Sequence, residues 1–303
     1  MRAVTAGLLV GLSLPALGLE PRDTADLHRP GTWSVGVFNP LVYGLEEGVE
    51  IETHPLLLVG SPNVVVRVRH GDAGAWRLTG EYGLSLPSPA FKLASPLGLS
   101  GDLFPSCKVT ADDASLSKWC EKPGWVLVPR AGLLASRGVE KTVTTLKADV
   151  AAGLPLEGVH GHPLDAWAPV DLLFAPALNG WRAHVGGRVN HALSRRYSVD
   201  GELNAFVVGP SGDRNPFTLS AHAGLDVAVG EASRFTLGVM YFNSDQREVR
   251  LRRDADGFST VRHVRSNEFW PTIDFIWSAA PDARARGRHG ADNTSAAPDA
   301  RLL

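Results

Sequence analysis

Apolar residues recur at every second position through much of this chain. Between 181 and 193, Trp181, Ala183, Val185, Val189 and Leu193 alternate with Arg182, His184, Arg188 and Asn190. The pattern returns with Tyr197, Val199, Leu203 and Val207, with Phe217, Leu219, Leu225 and Val227, and with Phe235, Leu237, Val239 and Tyr241. A period of two means strand, with one face apolar and the other polar. Stretches 33–43, 49–58, 64–70, 76–86, 125–135 and 141–151 carry the same habit less cleanly. About eleven segments result, most of ten residues or more, against a globular norm of about five or six. That length fits a strand crossing a bilayer at a tilt. No good helical period competes with it.

The connections alternate in length. Short turns fall at 44–48, 71–75, 136–140, 194–196 and 230–234, and longer segments at 86–124, 152–167 and 209–216. Aromatics form two groups. Tyr43, Trp76, Tyr197, Phe235 and Trp277 lie near short turns or the last strand end; Trp33, Trp125, Trp181, Phe217 and Phe269 lie toward the opposite ends. Two aromatic girdles and a long-loop side describe a closed antiparallel transmembrane β-barrel of about 10–12 strands. An odd count leaves one segment to resolve. The stretch 168–181, interrupted by Pro169, Pro176 and Gly180, reads as a separate strand or as a kinked extension of the strand after it.

The closing strand FWPTIDFIW, 269–277, resembles the assembly signal of bacterial outer-membrane β-barrel proteins, an alternating apolar strand ending on an aromatic. The resemblance is to the class and covers 31–277. It implies the outer membrane of a Gram-negative bacterium as the location, with membrane lipid, lipopolysaccharide and the barrel-assembly machinery as partners; oligomeric state stays open. The chain departs from the class by continuing past Trp277. The expected organisation is a signal peptide over 1–18, a linker over 19–30, the barrel over 31–278 and a disordered tail over 279–303. The signal peptide rests on Arg2, the apolar run 3–14, Pro15 and the small-x-small triplet Ala16-Leu17-Gly18. Export places Cys107 and Cys120 in an oxidising compartment, where they are expected to pair within an outer loop.

Charges nearly cancel, 30 Lys and Arg against 32 Asp and Glu, which excludes nucleic-acid binding through bulk positive charge. The inward face is balanced too. Arg67, Arg77, Arg130, Lys147, Arg182 and Arg188 stand against Glu81, Asp149, Asp200, Glu202 and Asp226 as a lumen charge network, with Arg69, Lys141, Glu50, Glu52 and Asp274 on the same face. A one-sided ring would mark an ion-selective pore. A balanced set points to a narrow or plugged pore, or to a structural or surface-binding barrel. The hairpin 247–265 is basic, and Arg247, Arg250, Arg252, Arg253, Arg262 and Arg265 are candidates for lipopolysaccharide phosphates. No cofactor and no metal site is expected: His160, His162 and Asp165 lack a fourth ligand, and Asp254 to Gly257 lacks the rest of a calcium loop. Two alternatives stand beside the barrel reading. One is a membrane hydrolase acting on lipid or lipopolysaccharide, for which His191 on the lipid face has only Val199 opposite it. The other is a soluble secreted β-sandwich or lipocalin-like binder.

One register follows from the pattern. The strands flanking 194–196 both carry apolar residues on odd numbers, so odd must pair with odd. Arg188 is then expected opposite Glu202, and Asn190 opposite Asp200.

Overall fold

A computed structural model of the chain describes residues 21–94, 96–97, 122–157, 167–210, 215–230, 232–253 and 259–279. Twelve strands form one closed antiparallel sheet. They are β1 (Trp33–Gly36), β2 (Leu41–Glu46), β3 (Val49–Thr53), β4 (Asn63–Ala73), β5 (Trp76–Ser85), β6 (Val126–Val139), β7 (Thr142–Ala152), β8 (Trp181–Ala192), β9 (Tyr197–Val208), β10 (Phe217–Ala228), β11 (Ser233–Arg253) and β12 (Ser259–Ala279). Each pairs with its neighbours in sequence, and β1 closes on β12. A two-residue ladder of Leu154–Pro155 on β6 is the one addition. Helix α1 (Ser88–Ala94) follows β5, and helix α2 (Ala168–Asn179) precedes β8. Both ends of the barrel chain, Trp33 and Ala279, lie on the rim that carries the tight turns.

The strand expected over 33–43 is two strands. Pro40, which has no N–H to give a ladder, ends the segment between them. The Asp274 carboxylate gathers the corner by accepting from the backbone N–H of Val37, Phe38 and Asn39 at 2.7–3.1 Å. Trp33 therefore stands opposite Tyr43, on the short-turn rim, and not at the far end. This split supplies the even count. Segment 168–181 does not: it is helix α2, opened by Pro169 in its first turn and stopped by Gly180 at φ 87°. Lys141 lies in the β6–β7 turn. Of the earlier expectations, the signal peptide, the C-terminal tail from 280, both cysteines, His160, His162, Asp165 and the 254–257 turn lie outside the described residues.

Outward positions are apolar and open. Leu133, Leu146, Val185, Leu203, Val239 and Ile273 are exposed, with Tyr43, Tyr197 and Trp277 toward one rim and Trp181, Phe217 and Phe269 toward the other. Inward positions hold the buried polar set, including Glu50, Arg67, Asp149, Arg188, Asp200 and Asp226. This inversion of a soluble protein is what a bilayer demands. The sandwich reading required two facing sheets, and the pairing is a single closed one.

Candidate functional site: the barrel lumen

Alternation places every member of the sequence-derived charge set on inward positions of β4 to β10. Arg188 lies opposite Glu202 and Asn190 opposite Asp200. Arg188 is nonetheless closer to Asp200, at 3.0 Å, than to Glu202, at 3.4 Å. Glu202 has Lys147 as its nearest cation. The pairs join into a chain around the wall. Arg67 bridges Glu50 and Glu81, Arg130 bridges Glu81 and Asp149 at 3.0 and 3.3 Å, and Arg182 and His184 also reach Asp149. Asn204 hydrogen-bonds His184 and Glu202, linking this run to the Lys147 and Arg188 pairs. Each charge in this chain thus meets an opposite one or a donor, which offsets the cost of burial.

Residues 22–28, read from sequence as linker, cross the lumen. Arg22 bonds Asp226 at 2.9 Å on β10. Asp23 bonds Arg188 on β8. The Thr24 carbonyl accepts from Arg67, and the Ala25 N–H donates to Ser136 Oγ at 2.7 Å. Asp26 meets Arg77 at 2.8 Å, and the His28 N–H donates to Glu50 at 2.7 Å. Thr24 and Ala25 are buried at the centre of the crossing. The partners stand within a few residues of the tight turns, so the segment spans the short-turn half. Desolvation raises the Asp23 carboxyl, but Arg188, Lys147, Arg22 and Arg67 outweigh it and hold the group well below the usual carboxylate range. Nothing periodic marks 22–28; its mixed charges were the one available signal.

The long-loop half is filled by α2, and by apolar contact. Ala168, Leu172 and Ala175 pack on Val208 and Phe242, with Phe206, Met240 and Trp270 beside them. Ala177 and Leu178 pack on Val126, Val128 and Phe91. At Gly209 an added Cβ would stand 1.8 Å from the Asn179 carbonyl oxygen, so only glycine admits the end of α2 there. Arg182 ties the helix to the charge network by donating to the Leu172 carbonyl at 2.9 Å.

Of the basic hairpin, Arg265 has a described side chain. It donates to Asn243 and to the Phe217 carbonyl and lies over the Phe217 ring, at the outer aromatic girdle. The side chains of Arg247, Arg250, Arg252, Arg253 and Arg262 lie outside the described residues. His191 hydrogen-bonds Thr142 at 2.9 Å on the lipid face, a neighbour the sequence reading did not find. Among the described residues no group of three or more His, Cys, Asp or Glu is placed to hold a metal.

No family model and no curated protein matches this chain. Among solved structures it is similar to OmpT, an outer membrane protein of Vibrio cholerae folded in vitro, at 9% identity and a TM-score of 0.37. A loop L8 deletion mutant of OmpT gives 8% and 0.38, and the trimer form of OmpT gives 7% and 0.39. Each covers 81% of this chain, which in turn spans 62–64% of those proteins. The fold assignment rests on the closed strand ladder itself.

Proposed function

We propose that this chain is an outer-membrane barrel whose lumen is closed at rest, and that it acts as a structural or surface-binding barrel and not as an open pore. One observation carries the reading: residues 22–28 lie across the short-turn half and bond to walls on opposite sides, from Glu50 on β3 to Asp226 on β10. Helix α2 occupies the other half, and the charges from Arg67 to Asp226 are spent on one another or on residues 22–28. A conducting pore needs an unspent set of charges or carbonyls along a continuous water path. The long-loop rim would face outward, with Arg265 at the height of lipopolysaccharide phosphates, where a planar guanidinium binds two oxygens at once.

Planar-bilayer recording of the full-length protein tests this. The expected trace shows insertion, verified by heat-modifiable migration, without steady unitary steps. Large, long-lived steps from the unmodified protein would overturn the closed-lumen reading.

A further inference from the structure

The wall of this barrel is uneven, and one side of it is low. β11 and β12 are 21 residues each, while β1, β2 and β3 are 4, 6 and 5. β1 pairs with β12 only over Gly36↔Ile276 to Trp33↔Ala279. Beyond Ile276 no strand among the described residues lies beside β12 on that side. The exposed residues Trp277, Ile273 and Phe269 place this stretch within the apolar band.

Backbone direction sharpens the point. The Ser278 N–H donates to Ala232, ahead of β11, so even residues of β12 turn their backbone groups to β11 and odd ones turn away. The Phe275 N–H, turned away, donates to the Asp274 carboxylate at 2.8 Å instead of a strand. Pro271, also odd, has no N–H to offer to anything on that edge. An added strand would need a bond there, so Pro271 argues against a second copy or partner strand filling the place. Non-helical backbone at membrane depth is tolerated where it borders a cavity.

The interior behind this edge is apolar. Trp270 and Met240 lie opposite each other on the inward face, half-buried, and Trp167 lies against Trp270 at 5.1 Å between ring centres, its plane tilted by 53°, while itself largely exposed. Glu268 accepts from Trp270 Nε1 and the Ala168 N–H on one oxygen; its other oxygen is buried with no hydrogen-bond partner among the described residues. A lumen is ordinarily polar. A half-buried Trp and Met surface with one unspent buried acceptor beside it, behind an unpaired strand edge, suits a molecule with a long apolar chain and a hydrogen-bond donor at its head.

We propose that the gap between β12 and the short strands β1–β3 is a lateral portal through which a single-chain amphiphile with a hydroxyl head enters the lumen from the bilayer and lodges on Trp270, Met240 and Glu268. This rests on the barrel being membrane-inserted, and the experiment separates the two. The protein is reconstituted in phosphatidylcholine vesicles containing a long-chain alcohol with a diazirine on its chain, irradiated, and mapped by peptide mass spectrometry. The proposal expects adducts on inward Met240 and Trp270 as well as outward Phe269 and Ile273, with none on inward Asn204 of β9 or Ser220 of β10. Glu268→Gln should reduce the inward adducts several-fold and leave the outward ones unchanged. Adducts confined to Phe269 and Ile273 would overturn the portal while leaving the inserted barrel intact. No adducts on outward residues at all would overturn the membrane reading first. Adducts spread equally over Met240, Asn204 and Ser220 would also overturn the portal, because entry would then be general.

Discussion

Toward the long-loop rim the interior is sealed by α2, whose Leu172 and Ala175 sit against Val208 and Phe242. Toward the short-turn rim it is crossed by residues 22–28, held by Asp226, Arg188, Ser136, Arg77 and Glu50. The first occupant is kept by apolar contact, which is insensitive to salt. The second is kept by charge and hydrogen bonds, which weaken when ions and water compete. Two plugs in one barrel should therefore respond to different conditions. Each test below alters one and leaves the other as its control.

The largest effect is expected from Arg188→Ala. It removes a buried cation that meets Asp23, Asp200 and Glu202; Glu202 keeps Lys147, while Asp23 loses its ion pair and the buried Asp200 is left with His222 at 3.0 Å and Arg22 at 3.7 Å. The loss should be about 3 kcal/mol, the low end for breaking a buried pair because Asp200 and Glu202 keep other partners, read from urea unfolding in detergent. A double-mutant cycle should give a larger coupling with Asp200 than with Glu202, since Glu202 keeps Lys147. Equal couplings would mean that the strand register, and not the distances, sets the partnership.

Leu172→Ala comes next. Its side chain is buried on α2, and a cavity of that kind costs about 2–3 kcal/mol. Hydrogen exchange should quicken across 168–179 and stay unchanged at 24–28. A shared change would show that the two plugs are one cooperative unit.

Salt gives a smaller, graded effect. At 1 M the Debye length is about 3 Å, so exchange at Thr24, Ala25 and Asp26 should quicken several-fold over that at low salt, with 168–179 unaffected. The smallest expectation is a null. Asp23 has its pKa lowered in the folded state. Its contribution is complete above the unfolded value of about 3.9 and drains only as pH falls through the depressed folded value. Exchange at 24–26, corrected for its intrinsic pH dependence, should not report any loss of Asp23 between pH 7 and 5.

The strands were legible because a barrel wall repeats one rule: outward apolar, inward polar. Trp181 to Leu193 and the three segments after it follow that rule almost without a break, and the pairing of Arg188 with Glu202 came from parity alone. What escaped detection does not follow the rule. The 33–43 stretch alternates through its corner, and Asn39-Pro40 is its one mark of the fold-back; the group that gathers the corner is Asp274, far along the chain. Helix α2 is apolar nearly all round, Asp171 apart, which blurs the helical period, although Pro169 and Gly180 sat where a helix begins and ends. The lumen residues could be placed on a face from sequence. Which charge each would take could not, because Lys147 and Asp200 compete across neighbouring strands. Beyond its mixed charges the crossing by 22–28 left no trace, since a segment held by residues on β3, β4, β5, β6, β8 and β10 has no period of its own.

The barrel's seam has a bearing on how the chain folds. Four residue pairs join Trp33–Gly36 to the end of β12, which brings together the two extremes of the barrel chain. Such a contact carries the largest loop-closure entropy in the molecule and the least reward in bonds. Hairpins such as β9–β10 can form early and locally; the seam must come late. Residues 22–28 immediately precede β1 and reach as far as β10 inside the barrel. They must be laid across the curling sheet before the seam shuts, or be fed in afterwards from the short-turn mouth. The order of those two events sets whether closure is a single zippering step or waits on a threaded segment.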